Sequence, residues 1–223
     1  HWCQRPGRCA PWALAPMSTR QFTPLEGELP IFPLSNPLFP AGLLHLNIFE
    51  PRYVAMTAEC LRDHKPFGVA LIQGGFEVGV PAIPAAIGCT ARILEWQQPA
   101  PDRYRLVAQG ESLFKIEQRR SSALGLILAR VQLIEPPDPV PLPKRYQSLA
   151  GLIDELVEAL GPEAPVPKPL RLQDAAWVAN RWAELLPVTP ERRQRWLEQA
   201  DPIAALIEIE QVLAEQSRGA APE

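Results

Sequence analysis

The chain has 223 residues, 47% hydrophobic and 21% charged, with a net charge of −3. That length suffices for one large domain or two small ones with an apolar core, and the charge balance lacks the basic footprint of a nucleic-acid binder. No apolar run reaches the roughly eighteen residues a membrane-spanning helix needs, and the 27 prolines, about twice the usual frequency of roughly 5%, call for short elements and stiff loops.

Residues 1–24 carry Gly, Pro, Arg and two tryptophans without a period, and no apolar h-region marks a signal peptide. They are expected to form a disordered leader, with Met17 as the true start. Cys3, Cys9, Cys60 and Cys89 show no CxxC spacing. Cys60 and Cys89 sit in apolar segments and read as reduced core residues, which points to the cytoplasm.

From Leu29 the text turns strand-like. Leu29 to Pro40 places Pro30, Pro33, Pro37 and Pro40 between bulky apolar residues, the pattern of proline-restricted edge strands with Phe32 and Phe39 as core plugs. Residues 43–48 alternate, putting His45 on the outward face. Glu50-Pro51 reads as a helix start, with proline at the first helical position and the Glu50 carboxylate offered to the free amides. Tyr53, Met56, Thr57, Cys60 and Leu61 make one helical stripe, and Pro66 ends it. Arg52 falls off that stripe.

Phe67–Ile72 is a short apolar run whose Gly74-Gly75 predicts a hairpin into Phe76–Val80. Further alternating stretches follow at 88–96, 103–108, 114–117 and 127–133. Short strands with turns between them predict a closed or nearly closed barrel. Pro136–Pro143 is the clearest boundary, a stiff polyproline-like spacer. Charge shifts there as well, from 13 basic against 11 acidic residues up to 135 to 9 against 14 beyond it.

Residues 144–217 read as helices. Leu149, Leu152, Ile153, Leu156, Val157 and Leu160 form one stripe. Ala175, Val178, Ala179, Trp182, Leu185 and Leu186 form a second. Thr189-Pro190-Glu191 and Asp201-Pro202 are start signals for two more helices. Residues 218–223 are a small polar tail. The predicted architecture is therefore α+β: a β-barrel subdomain over 25–135 with one inserted helix, a linker at 136–143, and a helical bundle over 144–217.

Catalytic signatures are missing from this text. Gly74, Gly75 and Gly79 are followed by no Gly-Lys-Ser/Thr, so there is no Walker A loop, and HExxH, GxSxG and the dinucleotide glycine fingerprint are all absent. Cys60 and His64 stand four apart on the helix but make an incomplete metal site. No cofactor or metal is expected. Arg119-Arg120 and Arg192-Arg193-Arg195 read as solvated charge, and Trp177, Trp182 and Trp196 as core.

Several spaced motifs occur in one order: Leu29-Pro30-Ile31-Phe32-Pro33-Leu34, Leu38-Phe39-Pro40, Ile48-Phe49-Glu50-Pro51-Arg52-Tyr53, Phe67-Gly68-Val69, Ile87-Gly88-Cys89-Thr90-Ala91, and Tyr104 to Gly110 followed by Phe114-Lys115-Ile116. With Ala179-Asn180-Arg181 and Leu197 to Pro202, they resemble the amino-terminal domain of the Lon family of ATP-dependent proteases over nearly all of residues 29–215. One departure lies at Gly110 to Phe114, where the family tends to place an arginine before the phenylalanine.

The resemblance implies a PUA-like pseudo-barrel joined to a helical bundle, and capture of unfolded or extended polypeptide without ATPase or peptidase chemistry. The expectation is a non-catalytic, ATP-independent polypeptide-binding module, an accessory to proteolysis or protein quality control. Extended peptide would add to an exposed strand edge or lie between barrel and helices. Arg52 and His45 are the residues singled out for partner contact. The alternative is an RNA-binding PUA-like module, against which the net charge argues.

Overall fold

A computed structural model describes residues 21–74 and 82–219. Within these, eight strands and five α-helices follow one another in the order β1 (Phe22–Pro24), β2 (Leu29–Leu34), β3 (Leu43–Ile48), α1 (Pro51–Asp63), β4 (Phe67–Gly74), β5 (Ile83–Pro84), β6 (Ile87–Ala100), β7 (Arg103–Ser121), β8 (Ile127–Ile134), α2 (Gln147–Leu160), α3 (Ala175–Leu185), α4 (Pro190–Glu198) and α5 (Pro202–Gly219). The class is α+β with a mixed sheet. The second strand of the hairpin expected at Phe76–Val80, and the leader up to residue 20, lie outside the described residues. Phe22–Pro24, which the leader was expected to include, instead pairs with β8.

The ladders run from β8 to β2, β4, β6 and β7, and β7 pairs with β8 again, so the pairings return to their start. Among the described residues, the one parallel pair is β2 with β4. β2 is thus an interior strand despite Pro30 and Pro33. Leu29 and Pro30 pair only with β8, Phe32–Leu34 pair only with β4, and Ile31 pairs with both. Each proline therefore sits where one side of the strand needs no ladder donor, which is how an interior strand accommodates the missing N–H.

The expected segments at 103–108 and 114–117 are one 19-residue strand. Its continuity depends on Gly110. A Cβ there would sit inside the contact shell of the Phe39 carbonyl oxygen, because the chain at 39–42 crosses β7 at that point, with Ala41 N–H donating to Gly110 O at 2.8 Å and Gly110 N–H to Gly42 O at 2.9 Å. Before the crossing β7 is flanked by β3, and after it by β8.

α1 buries Tyr53, Met56, Thr57 and Cys60 as its spacing predicts. Tyr53, Met56 and Cys60 join Phe32, Phe67, Cys89, Tyr104 and Leu106 in one apolar cluster. A second cluster belongs to the helices and takes in Leu142, Tyr146, Ile153, Trp177, Val178, Trp196, Leu206 and Ile209. Phe39 is fully buried in that helical cluster, so it is the plug by which the strand-rich half enters the helices.

The proline-rich segment is extended but anchored at its end. Leu142 N–H donates to Gln173 O at 2.8 Å, Ala175 N–H donates to Val140 O at 2.9 Å, and Leu142 is buried. α2 differs from its predicted stripe. Leu149, Ala150, Ile153 and Val157 are buried, whereas Leu152 and Leu160 are exposed, because only one side of the helix meets its neighbours.

Candidate functional site

Only Cys89 to Ala91 of β6 are paired with β4. Beyond them β6 continues with β7 alone, and the first half of β7 carries β3 on its other side. The outcome is a three-stranded wing of β6, β7 and β3. On its inner face lie Leu44, Leu46 and Ile48, opposite Ala108, Leu106 and Tyr104. α1 covers this face through Tyr53, Met56 and Cys60. Alternation sends His45 and Asn47 to the outer face, opposite Val107 and Arg105, and both are exposed.

The wing has two edges of unequal character. Along β6 the register shifts between Ile93 and Glu95 and again between Gln97 and Ala100, and Pro99 removes a donor, both features that blunt an edge. β3 is regular. All six of its residues pair in register with 104–109, it holds no proline and no Lys, and among the described residues no second strand pairs with it. Such an edge presents unpaired N–H and C=O groups to an incoming strand.

Large apolar side chains stand exposed on the same wing. Trp96 is 52% exposed and Leu94 51%, and Phe49, directly after β3, is 57%. Trp96 pairs in register with Leu106, and its ring lies 6.1 Å from that of Tyr104. The register shift at Ile93/Glu95 leaves Leu94 unpaired and turned out to solvent. None of these three was singled out from the sequence: alternation from Cys89, Ala91 and Ile93 puts Trp96 on the opposite face, and the irregularity at Leu94 shifts it onto the face of Leu106. Only the overhang of the hairpin beyond β4 uncovers it.

The two residues that were singled out part company. His45 is exposed on the wing as alternation requires. Arg52 is engaged within the protein: Nε donates to Glu50 Oε2 at 3.0 Å, Nη2 lies 2.8 Å from the same oxygen, Nη1 donates to Gly125 O at 3.2 Å, and the guanidinium stands 4.6 Å from the Tyr53 ring centre. The Glu50 carboxylate consequently does not cap α1. No side-chain capping bond is made there, and Pro51 alone serves the helix start.

The charged run on α4 also divides. Arg195 is solvated, but Arg193 donates to Asn36 Oδ1 at 2.6 Å and to Leu186 O at 2.9 Å, tying α4 to the loop after β2. Arg192 lies over the Trp196 ring. Gln194, 5% exposed, donates to Ile87 O at 2.9 Å. Beside them Arg181 and Glu184 of α3 face Pro40 and Gly42. Arg181 Nη2 donates to Pro40 O at 2.8 Å, Nη1 stands 3.0 Å from Glu184 Oε2, and a Cβ on Gly42 would overlap the Glu184 carboxylate. Burial pushes the Glu184 carboxyl up to about 7, against the opposing pull of Arg181 and the Phe39 amide. This seam holds the two halves together. It was not read from sequence, although Arg181, three residues after Val178 within an apolar stripe, carried the signal.

Cys60 and His64 do not form a poised pair. Burial pushes the Cys60 thiol up to about 11, and His64 ends α1 in the left-handed region at φ 52°, its N–H bonded to Cys60 O. Cys89 is fully buried and its thiol is likewise pushed up by desolvation. Among the described residues no group of three or more His, Cys, Asp or Glu could hold a metal ion, and no helix is long and apolar enough to cross a membrane.

Comparison with known proteins gives this arrangement a family. Lon protease 2 of Myxococcus xanthus is 30% identical over 127 residues, which is 56% of this chain and 15% of that protein. Lon protease of Anaeromyxobacter dehalogenans (strain 2CP-C) is 29% identical over 113 residues, 50% of this chain and 13% of the relative. The aligned regions thus span only a small part of the length of these relatives. Among solved structures, a Lon N-terminal domain protein from Xanthomonas campestris superposes with a TM-score of 0.67 at 31% identity, covering 84% of this chain and 98% of that one. The N-terminal domain of Mycobacterium avium complex Lon protease, at 16% identity and a TM-score of 0.56 over 84% of this chain and 98% of its own, shares the fold. The model of the ATP-dependent protease La (LON) substrate-binding domain matches residues 28–215, and the chain belongs to that family.

Proposed function

We propose that this chain is a non-catalytic polypeptide-binding module that works without ATP and captures an extended segment of unfolded protein by adding it to the free edge of β3. The observation that carries the reading is that edge itself, six residues in unbroken register with no bulge, proline or lysine, followed directly by the exposed Phe49. Main-chain hydrogen bonds to β3 would supply affinity for any sequence, and the Phe49 ring a preference for the hydrophobic stretches that unfolding exposes. His45 lies on the outer face beside the added strand, within reach of its side chains. Membership of the substrate-binding domain family supports the reading.

In this view the ring of β2, β4, β6, β7 and β8 is a PUA-like pseudo-barrel, α2 to α5 form a helical bundle braced against it, and the module serves a proteolytic or quality-control partner in the cytoplasm. The test is binding of a labelled hydrophobic peptide, measured by fluorescence anisotropy, alongside the same peptide N-methylated on alternate amides. Saturable binding that N-methylation abolishes and Phe49→Ala weakens is expected. Equal binding of the two peptides would rule out strand addition, and no saturable binding of either would sink the reading altogether.

A further inference from the structure

The main chain of β3 divides into two sets, and the pairing with β7 tells which of them is free. Gly110 N–H donates to Gly42 O at 2.9 Å, and Ala41 N–H donates to Gly110 O at 2.8 Å. The main chain of Gly110 therefore points at β3. Alternate residues of a strand send their N–H and C=O to opposite sides, so those of Ala108, Leu106 and Tyr104 point at β3 as well. Their register partners are Leu44, Leu46 and Ile48, whose N–H and C=O are taken up by β7. The groups of Leu43, His45 and Asn47 point the other way, to the open edge. Among the described residues no turn or loop bond engages them.

Side chains follow the same division. Leu44 and Leu46, on the face that α1 covers, pack against the apolar cluster but stay partly exposed. The inner face thus still offers apolar surface beside the open edge. Apart from Leu43 and Val107, the outer face carries His45, Asn47, Glu95, Gln97 and Arg105, all exposed. A residue laid opposite Leu44 or Leu46 would meet apolar surface. One laid opposite His45 or Asn47 would stand on a polar, solvated face.

Granting strand addition at β3, on which this rests, we infer that the captured segment lies antiparallel to β3 and alternates apolar with polar residues, the polar ones exchanging main-chain bonds with Leu43, His45 and Asn47. In an antiparallel pair the residues that exchange bonds lie directly opposite one another, on one face of the sheet. The bonding residues of the segment are therefore its outward, polar ones. Its inward residues fall in the non-bonded pairs, where side chains approach most closely, and apolar ones there would cover Leu44 and Leu46. A parallel segment would reverse the assignment, placing its bonding residues opposite Leu44 and Leu46. Antiparallel pairing is favoured as the slightly more stable ladder. The ligand class is thus the text of a half-buried strand from an unfolded protein, as distinct from an apolar block or a stretch of helical period.

The experiment uses the full chain and a short labelled peptide alternating valine and threonine, with anisotropy as the readout. Two further forms carry N-methyl groups on all the threonine amides or on all the valine amides. Methylating the threonines should weaken binding roughly a hundredfold, the loss of several main-chain bonds. Methylating the valines, whose amides face away from β3, should change it by no more than about twofold. A peptide of the same composition with its valines and threonines in two blocks should bind about tenfold more weakly. In the protein, His45→Pro removes an edge-facing N–H where an edge strand tolerates proline, so binding should fall at least about fivefold with the circular dichroism spectrum unchanged. Should that variant misfold, the methylated peptides decide on the unaltered protein. Loss on methylating the valines, alone or as well as the threonines, would overturn the register and leave strand addition standing, as would full binding by folded His45→Pro. Equal binding of the block peptide would overturn the preference for alternation. If both methylated forms bind like the parent peptide, strand addition itself fails.

Discussion

Arg181 donates through Nη2 to the carbonyl of Pro40 at 2.8 Å, linking a residue of α3 to a loop 141 positions earlier. Its side chain is 1% exposed, with Glu184 3.0 Å away. Desolvation pulls its pKa below the usual arginine range, and the neighbouring carboxylate opposes that shift. A buried charge persists only with partners of this kind. The two halves of the protein are thus joined by a polar clasp around the fully buried Phe39, not by apolar contact alone.

Removing the clasp should be costly. Arg181→Ala leaves Glu184 and the Pro40 carbonyl without their partner, and a loss of about 3–5 kcal/mol is expected. Urea denaturation would show it as a lower midpoint at unchanged slope. A loss well under 1 kcal/mol, within the range of exposed pairs, would mean that Phe39 packing alone holds the seam.

Glu184 gives the fold a pH dependence of defined sign. Its carboxyl is raised from 4.5 to about 7, chiefly by burial, so between those values the native state binds more protons than the unfolded chain. Its contribution to stability therefore falls as pH rises through that window. Glu184→Gln should flatten this component of the stability profile between pH 4.5 and 7. Parallel profiles for the two proteins would show that Glu184 does not titrate there.

Arg52, which sequence marks as off the apolar stripe and free for a partner, instead bridges α1 to the β7–β8 loop. Its pair with Glu50 and its bond to Gly125 O predict that Arg52→Ala lowers stability by about 1 kcal/mol. Thermal unfolding is the check. An unchanged melting temperature would return Arg52 to the residues available for a partner.

Gly110 is required by the close approach of the chain at Phe39. Gly110→Ala should cost at least the roughly 1–3 kcal/mol of an overpacked core, and it should also loosen the wing, since β3 and β8 diverge from β7 at this point. Hydrogen exchange of the β3 amides would report both effects. Unchanged protection would show that the crossing can widen without cost.

Much of the fold was legible because period and punctuation are local. The stripe from Tyr53 to Cys60 forms one face of α1 because side chains four apart share a side of any helix. Thr189 caps α4, accepting from Arg192 N–H, and Asp201 accepts from Ile203 N–H, as short polar side chains before N1 prolines do. The cap by Asp174, which accepts from the amides of Ala176 and Trp177, follows the same rule but has no proline to advertise it. The exposed Trp96 and Leu94 were not legible. Alternation assumes an unbroken strand, so it is silent both on the irregularity at Leu94 that changes the face of Trp96 and on where the covering layer stops.

By itself, then, the sequence determined the order of strand-like and helical text, the single helix at 51–63, the start signals after Pro136–Pro143, and, through its spaced motifs, the family. Each depends on residues close together along the chain or on motif order. Tertiary structure decided that Pro30 and Pro33 lie in an interior strand, that Arg181 and Glu184 clasp the loop at Pro40–Gly42, and that β3 is left as a regular open edge. Those outcomes depend on which distant segments meet and where a partner strand ends. Long-range pairing and desolvation fix them, and neither leaves a period in the text.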